Sequence, residues 1–118
     1  MRAAGALFEQ RACDELRRAG LTLLARNYTT RYGEIDLVML DQGTVVFVEV
    51  RHRLSASRGD AAASVNQGKQ AKLIQTAELW LASHPQHAHR ACRFDVVAYD
   101  GPIDQASMRW WKRAFEVG

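Results

Sequence analysis

Asp36 and Glu49 are the residues of this chain whose surroundings call for chemistry. Each interrupts a run of large apolar and β-branched residues, 35–40 in one case and 45–50 in the other. If the two runs pair as a hairpin, the carboxylates stand opposite each other, and like charges so placed on a sheet repel. A cation between them removes the repulsion. Two carboxylates, completed by water and a substrate phosphate, are how Mg²⁺ is ordinarily held. Such an ion polarises a phosphoryl oxygen and lowers the pKa of water, while a neighbouring cation stabilises charge developing on phosphorus. Arg51, two residues past Glu49 on the same face, and Lys69, at the start of a later helix, can supply that cation. Phosphodiester hydrolysis is the reaction this set would serve. The bland arrangement is a cross-strand Glu34–Arg51 ion pair with Asp36 and Glu49 merely solvated, contributing roughly 0–1 kcal/mol. The apolar hairpin around the two carboxylates favours the site.

The elements that must position them follow from periodicity and turn chemistry. Residues 34–40 and 45–51 read as strands joined at Asp41-Gln42-Gly43-Thr44, with Gly43 supplying the backbone freedom of a two-residue loop. Asp41 then pairs with Thr44, which sets Ile35 against Val50, Leu37 against Val48 and Met39 against Val46 on one apolar face. The other face carries Leu40/Val45, Val38/Phe47, Asp36/Glu49 and Glu34/Arg51, apolar near the turn and charged at the open end. Residues 5–19, ended by Gly20, read as a helix with Phe8, Ala12, Leu16 and Ala19 on one face and Glu9 and Glu15 on its two flanks. Spacing does not choose between those two acids. Residues 21–27 read as a short apolar strand, and 27–32 as a polar connection.

Residues 52–63, with small side chains, Gly59 and several basic groups, read as a loop that either approaches a phosphate backbone or is an ordinary solvated connection. A helix follows over about 65–83. Ser64 with Gln67 fits a capping box, and Asn66 competes as N-cap. Leu73, Ile74, Ala77, Trp80 and Leu81 make its buried face. A lysine at the positive end of a helix dipole is mildly unfavourable, so Lys69 calls for a nearby carboxylate or phosphate. His84, His87 and His89 match no standard zinc spacing and read as a solvated loop. Residues 91–99 read as a strand, in which Asp95 either bonds a neighbouring backbone or joins the acidic site, the structural role being favoured, and Asp100-Gly101-Pro102 as a turn. Met108, Trp111 and Phe115 recur at helical spacing, which predicts a short terminal helix docking its aromatics on the core. Trp110 and Trp111 among Arg109, Lys112 and Arg113 are the alternative, a base-stacking platform.

The whole is one domain, residues 1–118, of α/β class: helix, three strands, helix, strand. Sixteen Lys+Arg against thirteen Asp+Glu leave a net charge of +3, compatible with nucleic acid but too small an excess to argue for it. No run approaches a membrane span and the N-terminus lacks a secretory apolar region, so no membrane partner and a cytoplasmic location are expected. Cys13 and Cys92 have no CxxC spacing and read as reduced structural thiols.

Gly33-Glu34-Ile35-Asp36-Leu37-Val38 followed by Val46-Phe47-Val48-Glu49-Val50-Arg51-His52-Arg53 resembles the D…ExK signature of the PD-(D/E)XK nuclease superfamily. More closely, the chain resembles the YraN-like family of small bacterial proteins, related to archaeal Holliday-junction resolvases. The resemblance extends over nearly the whole chain, through Glu9 and Ala12, Arg26-Asn27, Ser64-Val65 with Lys69-Gln70, and Arg93-Phe94-Asp95-Val96-Val97. It implies a restriction-endonuclease-like αβββαβ core, a mixed sheet flanked by helices. It also implies Asp36 and Glu49 as metal ligands, Glu9 as a further acid from the first helix, and Lys69 with Gln70 as the polar residues after the third strand. Mg²⁺ or Mn²⁺ would be the cofactor, DNA the partner, and branched DNA with a homodimer the resolvase-like extension. One departure stands out: Arg51 occupies the position of the superfamily's lysine. Arginine stabilises phosphate but cannot deprotonate water. A nucleic-acid-binding module that keeps the fold without catalysis is therefore the second expectation.

Overall fold

The spacing of Phe8, Ala12 and Leu16 does fold as a helical stripe. α1 spans Ala3–Arg18, and these three side chains are buried together with Cys13. Ala19 lies past the helix and is exposed. Gly20, at φ +103°, ends the helix in a conformation that costs a side-chain-bearing residue more. The Leu21 N–H then turns back to the Leu16 carbonyl at 3.0 Å. The computed structural model that shows this describes residues 3–54 and 65–115. The expected basic loop beyond Leu54, and Ser64 of the capping box, lie outside the described residues.

Three strands follow α1: β1 (Thr22–Thr30), β2 (Gly33–Asp41) and β3 (Thr44–Arg53). After them come α2 (Gln67–Ala82), a 3₁₀ turn (Pro85–His87), β4 (Cys92–Asp100) and β5 (Ser107–Phe115). The strands lie side by side in the order β1-β2-β3-β4-β5. Only β3 and β4 run parallel; the chain needs a crossover between them, and α2 lies in it. The result is a mixed five-stranded sheet with two helices. α1 packs on one face with Leu37, Met39, Val46, Val48 and Tyr99. α2 packs on the other through Leu73, Ala77 and Trp80 against Val38, Phe47 and Phe94.

The hairpin forms as the turn residues require. Gln42 (φ 50°) and Gly43 (φ 90°) make the two-residue turn, and pairing runs from Asp41↔Thr44 through Val38↔Phe47 to Leu37↔Val48. Beyond that point the expected pairs Asp36/Glu49, Ile35/Val50 and Glu34/Arg51 are not part of the ladder. Instead the Val50 N–H donates to Asp36 Oδ2 at 2.8 Å, so a side chain stands where a strand carbonyl would. The alternation of faces breaks at the same level. Arg26 and Leu37 are partners on the α1 side, where Arg26 bonds Gln10 and Cys13. Tyr28 and Ile35, the next partners in step, belong to the α2 side. Between them stand Asn27, at φ 49°, and Asp36. Ile35 therefore does not share a face with Leu37.

Two further expectations are corrected. The polar stretch 27–32 is largely strand, because Tyr28, Thr29 and Thr30 pair with Ile35, Glu34 and Gly33; on an edge strand, polar β-branched residues suit the solvent side. The tail is a strand, not a helix. β5 pairs antiparallel with β4, and Trp111 to Phe115 spans four residues where Val96 to Phe94 spans two. Arg113, at φ 53°, sits in this bulge. Met108 and Trp111 face opposite sides of β5, toward α1 and α2 respectively, so their three-residue spacing is not one stripe, and Phe115 returns to the face of Trp111 beyond the bulge. Asp95 takes the structural role expected of it. It accepts from Trp110 Nε1 (2.9 Å), the Arg113 N–H (3.0 Å) and Arg93 Nε (3.1 Å), which ties the bulge to the sheet.

Candidate active site at the strand split

Where β2 and β3 part, their side chains and the start of α2 enclose an open pocket of about 420 Å³ lined by Glu34, Asp36, Glu49, Val50, Arg51, His52 and Lys69. Glu49 and Arg51 point to the α2 side because they alternate with Val48 and Val50, which pack toward α1. α2 delivers Lys69 to the same side. Asn66 is the N-cap, its Oδ1 accepting the Lys69 N–H at 2.9 Å. Gln70 is spent on the helix start, donating to the Val65 carbonyl at 2.8 Å. Lys69 Nζ then lies 3.2 Å from Glu49 Oε2, and Arg51 Nη1 lies 3.4 Å from the same oxygen. The carboxylate that Lys69 called for is Glu49.

Asp36 is the buried member, 6 % exposed. Its carboxyl is pushed up to about 8, first by burial, then by the charge of Glu49. The Val50 N–H works in the opposite direction, and Glu9 and Glu34 add smaller upward contributions. Asp36 thus holds a proton at neutral pH when nothing positive compensates it. Glu9 reaches the site electrostatically from α1, and its Oε1 accepts from Asn27 Nδ2 at 2.8 Å. The alternation break at Asn27 and Asp36 goes with a residue of the sheet interior that feels both Glu9 of α1 and Glu49 on the α2 side.

The structure therefore gathers Asp36, Glu49, Arg51 and Lys69 in one pocket and sets Glu9 nearby on the far side. Besides Val50, two polar pocket residues were not singled out as site members from sequence. Glu34 was read only as an ion-pair partner for Arg51. His52 was assigned to the loop, but it ends β3, stacks on Phe8 at 4.4 Å and donates from Nε2 to the Gly101 carbonyl at 2.8 Å. Its place beside Arg51 was the available signal. The histidines of 84–89 are not simply solvated: His84 and His87 stack on Trp80 at 4.0 and 5.6 Å.

Among the described residues no three His, Cys, Asp or Glu side chains converge to hold a metal ion by themselves. A hard divalent cation that keeps most of its water needs fewer protein ligands, commonly one or two carboxylates. Asp36 and Glu49 fit such an ion in donor type. The pocket has room for its water, and the proton affinity of Asp36, raised first by burial and then by the charge of Glu49, is one that a neighbouring cation would lower.

With this geometry in view, the relatives of the chain can be compared. Residues 8–99 match the family described as "Uncharacterised protein family UPF0102", and the chain belongs to that family. A UPF0102 protein of Pseudomonas entomophila is 50% identical over 114 residues, covering 96% of this chain and 93% of its own length. One from Alcanivorax borkumensis is 49% identical over 108 residues, covering 91% and 86% respectively. One from Psychrobacter cryohalolentis is 50% identical over 101 residues, which is 59% of its own longer chain. No helix among the described residues is long and apolar enough to cross a membrane.

Proposed function

We propose that this chain is a Mg²⁺- or Mn²⁺-dependent nuclease that hydrolyses DNA phosphodiester bonds. The observation that carries the reading is the shared pocket: two carboxylates, Asp36 and Glu49, with two cations, Lys69 and Arg51, both within 3.4 Å of one Glu49 oxygen. The run of α1, β1, β2, β3, α2 and β4 agrees in order with the αβββαβ core that the PD-(D/E)XK resemblance implies, with β5 added at the edge. Asp36 and Glu49 would hold the ion, with Glu9 adding negative charge from α1. When bound, a divalent cation supplies Lewis-acid polarisation of the phosphoryl oxygen. Asp36 must lose its proton to serve, which its neighbourhood permits once positive charge is present. Glu49 holds Lys69 and Arg51 against the pocket, where their charges stabilise a phosphate that gains negative charge. Lys69, 3.2 Å from Glu49, would supply the lysine that Arg51 replaces in the motif. A lysine can shed its proton where an arginine cannot. Branched DNA is the substrate class the resolvase relationship favours, and cleavage of two strands would require a homodimer.

The test is divalent-dependent nicking of linear and four-way-junction DNA by the wild type and by folded Asp36→Asn and Glu49→Gln proteins. Cleavage confined to the wild type supports the site; equal cleavage by all three removes it. The second reading is a nucleic-acid-binding module without catalysis. It is favoured by Arg51 and by the occupation of Glu49 Oε2 by two cations. It predicts salt-sensitive binding that survives both substitutions, with no cleavage in any metal.

A further inference from the structure

Resting on the metal-site reading of the pocket, we infer that Asn27 is a positioning residue for that site. Its left-handed backbone and its side-chain amide hold the Glu9 carboxylate beside Asp36, where the negative charge strengthens the grip on a divalent cation. Neither Arg26 nor Asn27 lines the pocket, yet both reach α1. Arg26 Nη1 donates to Gln10 Oε1 at 2.7 Å, and Asn27 Nδ2 donates to Glu9 Oε1 at 2.8 Å. Successive residues of a regular strand point to opposite faces. Two neighbours meet one helix here because Asn27, at φ 49°, leaves the strand conformation. Its carbonyl accepts from the Thr29 hydroxyl at 3.1 Å. The pairs Arg26↔Leu37 and Tyr28↔Ile35 bracket Asn27 and Asp36 on adjacent strands. Asn27 therefore bonds the acid of α1 from the strand position next to the acid of the pocket.

The residue type meets two demands at once. A left-handed backbone is costly for most side chains, and Gly, Asn and Asp adopt it most readily. Of these three only Asn can donate a side-chain hydrogen bond to a carboxylate. Asp would oppose Glu9 with a like charge, and Gly has no group to offer it. An amide also fixes a carboxylate without cancelling its charge, whereas a lysine or arginine would cancel it. Asp36 feels that charge: burial first, then Glu49 and, more weakly, Glu9 raise its proton affinity. A negative charge that opposes ionisation of Asp36 attracts a cation to the same place. Glu9 is half-buried on the flank of α1, and a glutamate there has rotamer freedom to carry its carboxylate elsewhere. The Asn27 amide restrains it.

The experiment is calorimetric titration of Mn²⁺ into the full chain. Asn27→Gly keeps the left-handed backbone and removes the amide. It weakens Mn²⁺ binding about tenfold, the low end of what losing an orienting partner costs, because this bond is exposed to solvent. Its urea midpoint stays near that of wild type. Glu9→Gln weakens Mn²⁺ by as much or more, and adding Asn27→Gly to it changes nothing further, because the two act through one bond. Arg26→Ala removes the neighbouring tie between β1 and α1, to Gln10 and Cys13, and leaves Mn²⁺ affinity undiminished. In the wild type, the NMR signals of the Asn27 side-chain amide shift as Mg²⁺ is added, which decides the matter if Asn27→Gly does not fold. Wild-type affinity in Asn27→Gly, an additive loss in the double variant, an equal loss in Arg26→Ala or an Asn27 amide indifferent to Mg²⁺ overturns the role. So does a wild type that binds neither ion. The two failures separate cleanly: this pattern of metal binding without DNA cleavage leaves Asn27 in its role and removes the nuclease. Cleavage that depends on Asp36 and Glu49, with Mn²⁺ binding unaltered in Asn27→Gly, does the reverse.

Discussion

Asp36 and Asp95 are both buried in the same sheet, 6 % and 1 % exposed, yet their surroundings are opposite. Asp95 is met by donors: an indole N–H, a backbone N–H and a guanidinium that also bonds Asp41 at 3.0 Å. Its charge is used up in holding the β5 bulge to β4. Asp36 receives the Val50 N–H and is otherwise pressed by Glu49, Glu9 and Glu34. The cations that line its pocket, Lys69 and Arg51, are turned to Glu49. A buried carboxyl surrounded by donors is part of the scaffold. A buried carboxyl surrounded by other carboxyls, beside a pocket, is prepared for something not yet bound.

Removing each group should expose that difference. Asp95→Ala leaves Arg93 Nε and two N–H donors without their acceptor, and should destabilise the fold by about 3–5 kcal/mol in urea denaturation. A loss under 1 kcal/mol would mean that Asp95 is not the anchor described. Asp36→Asn should instead leave the fold intact and lower metal-dependent cleavage by about 10²- to 10³-fold or more, measured under single-turnover conditions. An Asp36→Asn protein as unstable as Asp95→Ala would erase the contrast.

The contrast also has a pH signature. The folded-state value of Asp36, about 8, lies above its ordinary value of 3.8, so the folded protein retains a proton that the unfolded chain gives up. Its stabilising contribution is fully present below about pH 4 and is lost as pH rises through 8, with a slope of at most about 1.4 kcal/mol per pH unit. In EDTA, Asp36→Asn should therefore gain on the wild type as pH rises from 5 to 9; a constant gap between the two denaturation curves would contradict this. Mg²⁺ or Mn²⁺ should bind more tightly at pH 8 than at pH 6, because binding must displace that proton. Calorimetry in two buffers of different ionisation enthalpy reads both effects. The smaller changes are expected at the two cations, of which Lys69 is partly exposed and so screened by solvent. Lys69→Ala should lower cleavage about tenfold while Arg51→Lys changes it less, since Lys69 already occupies the space beside Glu49. A larger effect at Arg51 would return the motif's own position to the leading role.

Much of this was legible along the chain because it is governed by near neighbours. Gln42-Gly43 set the turn, the turn set the pairs as far as Leu37↔Val48, and the apolar spacing of Phe8, Ala12 and Leu16 marked the α1 face. Asp36 and Glu49 were conspicuous as charges in apolar runs. Ile35 was misplaced because strict alternation was carried through Asn27 and Asp36, where both strands change face. The tail reads as a helix along the chain because Met108, Trp111 and Phe115 stand three and four apart, although Met108 and Trp111 serve opposite faces of β5; a strand is told from a helix there only by its partner, β4.

The sequence by itself determined which groups could do chemistry and the hairpin that carries two of them, since turn geometry and side-chain period are local properties. Tertiary structure decided what surrounds them. Whether Lys69 reaches Glu49 depends on the path of the chain from β3 into α2. Whether Asp36 is buried among Glu49, Glu9 and Glu34 depends on where the strands part and which helix covers each face. Those are contacts between distant parts of the chain, and proton affinity follows such contacts and not the order of residues.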